Sequence, residues 1–179
     1  DFYGRGSFEV MREFLAGASS AAEYAMVGFR LRNTLSPHGT VARGVCAVSD
    51  DGLLQGVEEV TDIAEADGTV SGIDSRGRRR VLDANAPVSL NLWGLTPSIF
   101  ATLDEQFRDF LSTRSDDPDA EFYLPEAVGV AVDAGDARVR VLRSDETWYG
   151  LTYRADRDRL RQALRRRIDG GAYPAPLWG

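Results

Sequence analysis

Lysine is absent from this chain of 179 residues, and all 21 of its basic residues are arginine. The flexible ammonium that many phosphate-handling sites use is therefore excluded. One cysteine, Cys46, excludes an internal disulfide, and its place in the apolar run Val45, Cys46, Ala47, Val48 reads as a small core residue. A reducing, cytoplasmic setting is the expectation. One histidine, His38, lies in a turn-rich stretch, so zinc chemistry and a Ser-His-Asp triad lack the convergent partners they need. No apolar stretch approaches the roughly 20 residues that span a bilayer, and no basic-then-apolar leader opens the chain, so no membrane partner is expected. An excess of positive charge is missing too. The formal charge of −7 argues against gripping nucleic acid, which needs clustered cations to displace counterions. The one basic cluster, Arg76 with Arg78, Arg79 and Arg80, reads as a solvated hairpin tip.

What is present reads as one α/β domain over residues 1–179, with no repeats and no interdomain linker. Ser7 is placed to cap a first helix carrying Phe8, Met11, Phe14 and Leu15, which Gly17 ends. Tyr24 to Leu31 is nearly continuous apolar sequence, as in a strand buried on both faces, and Asn33 to Thr40 is a loop. Val45 to Val48 and Leu53 to Val60 flank Asp51-Gly52, a strong hairpin signal. A second hairpin follows, Thr69 to Ile73 with Arg79 to Leu82 around Gly77, and Val88 to Leu95 is a further strand. Thr96 and Pro97 open a helix whose apolar stripe, Ile99, Phe100, Leu103, Phe107, Phe110 and Leu111, is expected to be buried. A helix over about residues 125–132, a strand over 138–142 and a last helix capped by Asp156 complete the pattern, and the two-proline tail is expected to lie against the body. Strands alternating with helices predict a mixed, mostly parallel sheet flanked by helices, with an antiparallel hairpin excursion. Asp50-Asp51 and Glu65-Ala66-Asp67 read as solvated turns.

Several segments, in order and spacing, carry a resemblance to a known family. The chain opens Asp1-Phe2-Tyr3-Gly4 and continues through Tyr24-Ala25-Met26-Val27-Gly28-Phe29, Asn33-Thr34-Leu35-Ser36 and Arg43-Gly44-Val45-Cys46. Ser89-Leu90-Asn91-Leu92-Trp93-Gly94, Glu121-Phe122-Tyr123-Leu124-Pro125 and Trp148-Tyr149-Gly150-Leu151-Thr152-Tyr153 follow. The sequence resembles the sugar nucleotidyltransferases (nucleotide-sugar pyrophosphorylases), specifically their C-terminal portion. The resemblance implies a nucleotide-diphospho-sugar transferase-like fold, and the family's N-terminal glycine-rich motif, absent from this sequence, is expected upstream. It implies attack of a sugar 1-phosphate on the α-phosphate of a nucleoside triphosphate with release of pyrophosphate, Mg²⁺ as cofactor, and compatibility with an oligomer. Asp1 becomes the leading catalytic metal ligand; without the resemblance it reads as a solvated terminal carboxylate. Gly44, Glu58 and Asn91 take the acceptor sugar, since a carboxylate accepts from two hydroxyls, an amide both donates and accepts, and a glycine admits close approach. The residue-level alternatives are a hairpin-edge charge for Glu58 and a strand-end hydrogen bonder for Asn91. The sequence departs from the family where Glu59 and Val60 replace a cation after the hairpin glutamate, and where Gly150 stands near the usual second metal aspartate. Asp156 is the candidate substitute, with a helix cap as its other reading. A catalytically inactive sugar-nucleotide-binding or regulatory homologue is the alternative, and a metal-dependent glycosyltransferase a third.

Overall fold

The computed structural model describes every residue except 19, 38, 152, 153 and 177–179, and the backbone alone of 154 and 155. The first helix, α1 (Arg5–Gly17), begins at Gly4, whose φ of 78° only glycine adopts readily. Ser7 is therefore inside the helix and not its cap. Its buried hydroxyl bonds the Tyr3 carbonyl and the Ser144 hydroxyl, each at 2.8 Å.

Seven strands form one sheet: β1 (Glu23–Arg30), β2 (Val41–Val48), β3 (Leu54–Ala66), β4 (Thr69–Ile73), β5 (Arg79–Val81), β6 (Pro87–Gly94) and β7 (Arg138–Ser144), in the order β5-β4-β3-β2-β6-β1-β7. Only β1 and β7 run parallel. The other five pairings are antiparallel, so the expectation of a mostly parallel sheet is corrected. The reason is local. Tight turns at Asp51-Gly52, Asp67-Gly68 and around Gly77 join β2 to β5 as a meander, and short turns can join antiparallel neighbours alone. Asp74 pins the last turn by accepting the amide N–H groups of Arg76 and Arg78. The link from β6 to β7 carries α2 (Ile99–Arg114) and α3 (Leu124–Asp133), and α4 (Arg154–Asp169) follows β7. His38 lies outside the described residues. Of the tail, Tyr173 packs its ring against Phe2.

β1 is buried on both faces, as its apolar run predicts. Ala25, Val27 and Phe29 join Met11 of α1 with Val60, Ile63 and Val88 in one core, and Tyr24 and Met26 join Cys46, Ile99, Val128 and Val139 in a second. β2 meets β6 only at Gly44↔Ser89 and Val45↔Val88. The β2–β3 hairpin then crosses toward the far edge, where Gly52 O accepts the Val141 amide at 2.9 Å. The predicted stripe of α2 is only partly buried. Ile99 is 3% exposed, but Phe100 is 72% exposed and Phe107 43%. Phe107, Phe110 and Phe122 contact one another instead of entering the second core. No helix among the described residues is long and apolar enough to cross a membrane.

Candidate functional site

The carboxyl ends of the parallel pair β1 and β7 open onto a cavity of about 200 Å³. Such strand ends are where open α/β sheets form ligand clefts. A 3₁₀ turn over Leu31–Thr34 leaves β1 here, and the segment after β7 brings Trp148, Tyr149 and Gly150. Arg43 arrives from β2 and Arg159 from α4. The Arg43 guanidinium lies 5.0 Å from the Trp148 ring centre, and that of Arg159 lies 5.3 Å from Tyr149. Arg43 donates to the Thr34 hydroxyl, the Thr34 carbonyl and the Ala42 carbonyl, all neutral oxygens. Burial lowers its pKa from the usual guanidinium value, and the charge of Glu59 acts in the opposite sense.

A second region lies on the sheet face that carries α2 and α3. Gly44 pairs with Glu59 and with Ser89, so these three share a face. A Cβ added at Gly44 would meet Val57 Cγ1 at 2.7 Å and would lie 3.7 Å from Glu59 Oε2, so the Val57 side chain packs over this backbone. On β6, Leu90 and Leu92 pack toward the α1 core and Trp93 toward the other, which sets Asn91 on the Gly44 face. Asn91 is exposed and holds φ 60°, a left-handed conformation that asparagine tolerates better than most residues. Beside it a groove of about 390 Å³ is lined by Glu59, Trp93 and, from α3, Pro125, Glu126 and Gly129. The indole N–H of Trp93 is buried and has no acceptor among the described residues.

Glu58 is on the opposite face. It pairs with Val45, and its carboxylate is held by Arg80 at 2.6 Å and by the Ser75 hydroxyl at 3.1 Å. A site shared by Gly44, Glu58 and Asn91 is therefore not formed; Glu59 is the carboxylate that joins the other two. The turn closes between Ser49 and Leu53, and counting outward from it would pair Gly44 with Glu58. A register shift between Ala47 and Val48 brings Glu59 opposite Gly44 instead, and the turn sequence carries no signal of that shift.

Asp1 lines a separate cavity beside Arg5, Glu9 and Arg12, while Asp156 lines the strand-end cavity with Arg43 and Arg159. The backbone bridge Phe2↔Tyr149 ties the Asp1 segment near Gly150, yet the two carboxylates open onto different spaces. Each also has guanidinium neighbours. A hard divalent cation needs converging oxygens, so this pair does not fit a joint Mg²⁺ site. Asp156 occupies the first turn of α4, where a carboxylate complements the helix dipole. No family model and no curated protein matches this chain.

Proposed function

We propose that this chain is the acceptor-binding part of a nucleotidyltransferase that forms a nucleotide sugar. In that reaction a phosphate oxygen of a sugar 1-phosphate bonds to the α-phosphorus of a nucleoside triphosphate, the α–β bridge breaks, and pyrophosphate leaves. The observation that supports this reading best is the common face of Gly44 and Glu59 beside the groove that Glu59 and Trp93 line, with the exposed Asn91 on the neighbouring strand. A carboxylate and an amide suit sugar hydroxyls, and an indole offers a flat apolar wall. Mg²⁺ would accompany the triphosphate in the whole reaction; the residues here bind and orient the acceptor. Positioning and charge neutralisation supply most of the barrier lowering in phosphoryl transfer.

The test is calorimetric titration of the chain with a panel of sugar 1-phosphates. At least one should bind, and Glu59→Gln should weaken it about tenfold, as expected for a hydrogen bond to a charged group. Glu58→Gln should leave binding unchanged. Loss on Glu58→Gln with no effect of Glu59→Gln, or no binding by any member of the panel, overturns the reading. With Mg²⁺ and nucleoside triphosphates added, the chain alone should release no pyrophosphate, because it contains no glycine-rich G-x-G-[ST]-R run and no lysine.

A further inference from the structure

We propose that the strand-end cavity between Arg43 and Arg159 is a binding site for the phosphate group of a small molecule. The inference stands on this cavity alone and holds whether or not the chain serves a nucleotidyltransferase. Some arginines of this chain pair with carboxylates, Arg30, Arg78, Arg79, Arg80, Arg114 and Arg167 among them. Arg43 and Arg159 do not. Among the described residues neither has a carboxylate within ion-pair distance, although Asp156 lines the same space. The hydrogen bonds of Arg43 go to neutral oxygens, so they orient its guanidinium without neutralising it. Each guanidinium is also seated on an aromatic ring, which fixes its direction at small entropic cost.

The remaining chemistry suits the same ligand. Thr40 lines the cavity with a hydroxyl-bearing side chain, while the Thr34 hydroxyl is committed to the Leu31 carbonyl and to Arg43 and serves to hold that guanidinium in place. Of the charged side chains lining the cavity two are guanidiniums and one, Asp156, is a carboxylate, while Glu59, whose charge acts on Arg43, lines a different groove. The lining thus favours an anion over the divalent cation that the family resemblance offers that aspartate. Planar, forked donors match phosphate oxygens well. A volume of about 200 Å³ takes a phosphate with a small organic group attached.

Calorimetric titration with inorganic phosphate, pyrophosphate and a phosphomonoester of a simple alcohol tests the site. Binding of inorganic phosphate at millimolar concentration, weakening with added salt, is expected. Tighter binding of the monoester identifies a phosphorylated metabolite as the ligand class, and equal binding identifies the free anion. Arg159→Gln, an exposed position, should weaken binding about tenfold without loss of fold. Arg43→Gln should do the same, with circular dichroism to confirm that the Thr34 turn survives, and Asp156→Asn should tighten binding several-fold by removing the opposing charge. No phosphate binding, or an unchanged affinity in Arg159→Gln, overturns the proposal. Phosphate binding that requires Mg²⁺ in the wild type and is lost in Asp156→Asn also overturns it, in favour of a cation centre. Failure of sugar 1-phosphates at the Glu59 face leaves this result untouched, since inorganic phosphate has no sugar hydroxyl for Glu59 to accept.

Discussion

Cys46 shows what burial does to a single titratable group. Burial pushes its thiol pKa up from 9.0 to about 12, and a backbone hydrogen bond at Ser89 offsets part of the rise. The native chain should therefore resist thiol reagents at neutral pH and react at the rate of global unfolding. The linkage has a definite sign. The folded state holds its proton between the ordinary value and the raised one, so this contribution to stability is intact below about pH 9 and falls as pH rises toward 12. Denaturant midpoints of the wild type should drop across that window by more than those of Cys46→Ala; parallel declines would refute the assignment. The core role of Cys46 was legible from its apolar run. Which glutamate shares the Gly44 face was not, because Glu58 and Glu59 are adjacent and a register of one residue decides which face each takes. Composition is blind to that choice, and so is the turn, because the register shift between Ala47 and Val48 moves the pairing by one residue.

At the scale of elements, α2 separates helix formation from helix burial. Its spacing specified a helix correctly, and Ile99–Arg114 forms. Periodicity marks an apolar stripe but does not say how much of the stripe a neighbour will cover. Ile99 enters the second core, while Phe100 faces solvent. Ile99→Ala should therefore cost about 2–5 kcal/mol and Phe100→Ser no more than about 0.5 kcal/mol, measured by denaturant unfolding. A large cost at Phe100 would mean that a partner covers its ring in solution. The strands were legible for a related reason: β1 and the two hairpins are bounded by turn residues whose backbone needs are local. Ser7 was misread because a cap signal inside a helix looks the same in sequence, and the start was set instead by the positive φ of Gly4.

For the whole molecule, strand direction and long-range ties decide the shape, and neither is written in local pattern. Alternation identifies a strand without naming its partner, so only the crossover pair β1 and β7 met the parallel expectation. The same limit hid Glu146. This residue follows β7, accepts the Gly6 amide of α1 at 3.1 Å, and pairs with Arg167 of α4 at 2.7 Å. Arg167 in turn lies over the Phe2 ring, 5.4 Å from its centre. Three elements distant in sequence thus converge on one half-buried carboxylate, 20% exposed with a partner at 24%. By contrast, the Arg5–Glu9 pair spans one helical turn in solvent. Removing Glu146 leaves both an amide and a guanidinium without their acceptor, whereas removing Glu9 releases two groups to water. Glu146→Ala should therefore cost about 1–3 kcal/mol, against no more than about 0.5 kcal/mol for Glu9→Ala. Hydrogen exchange separates a latch from general destabilisation: amides of α4 and of the first turns of α1 should lose protection first, while those of β1 keep theirs until global unfolding. Equal loss across all elements, or equal costs for the two substitutions, would show that Glu146 does not fasten α4 to the sheet.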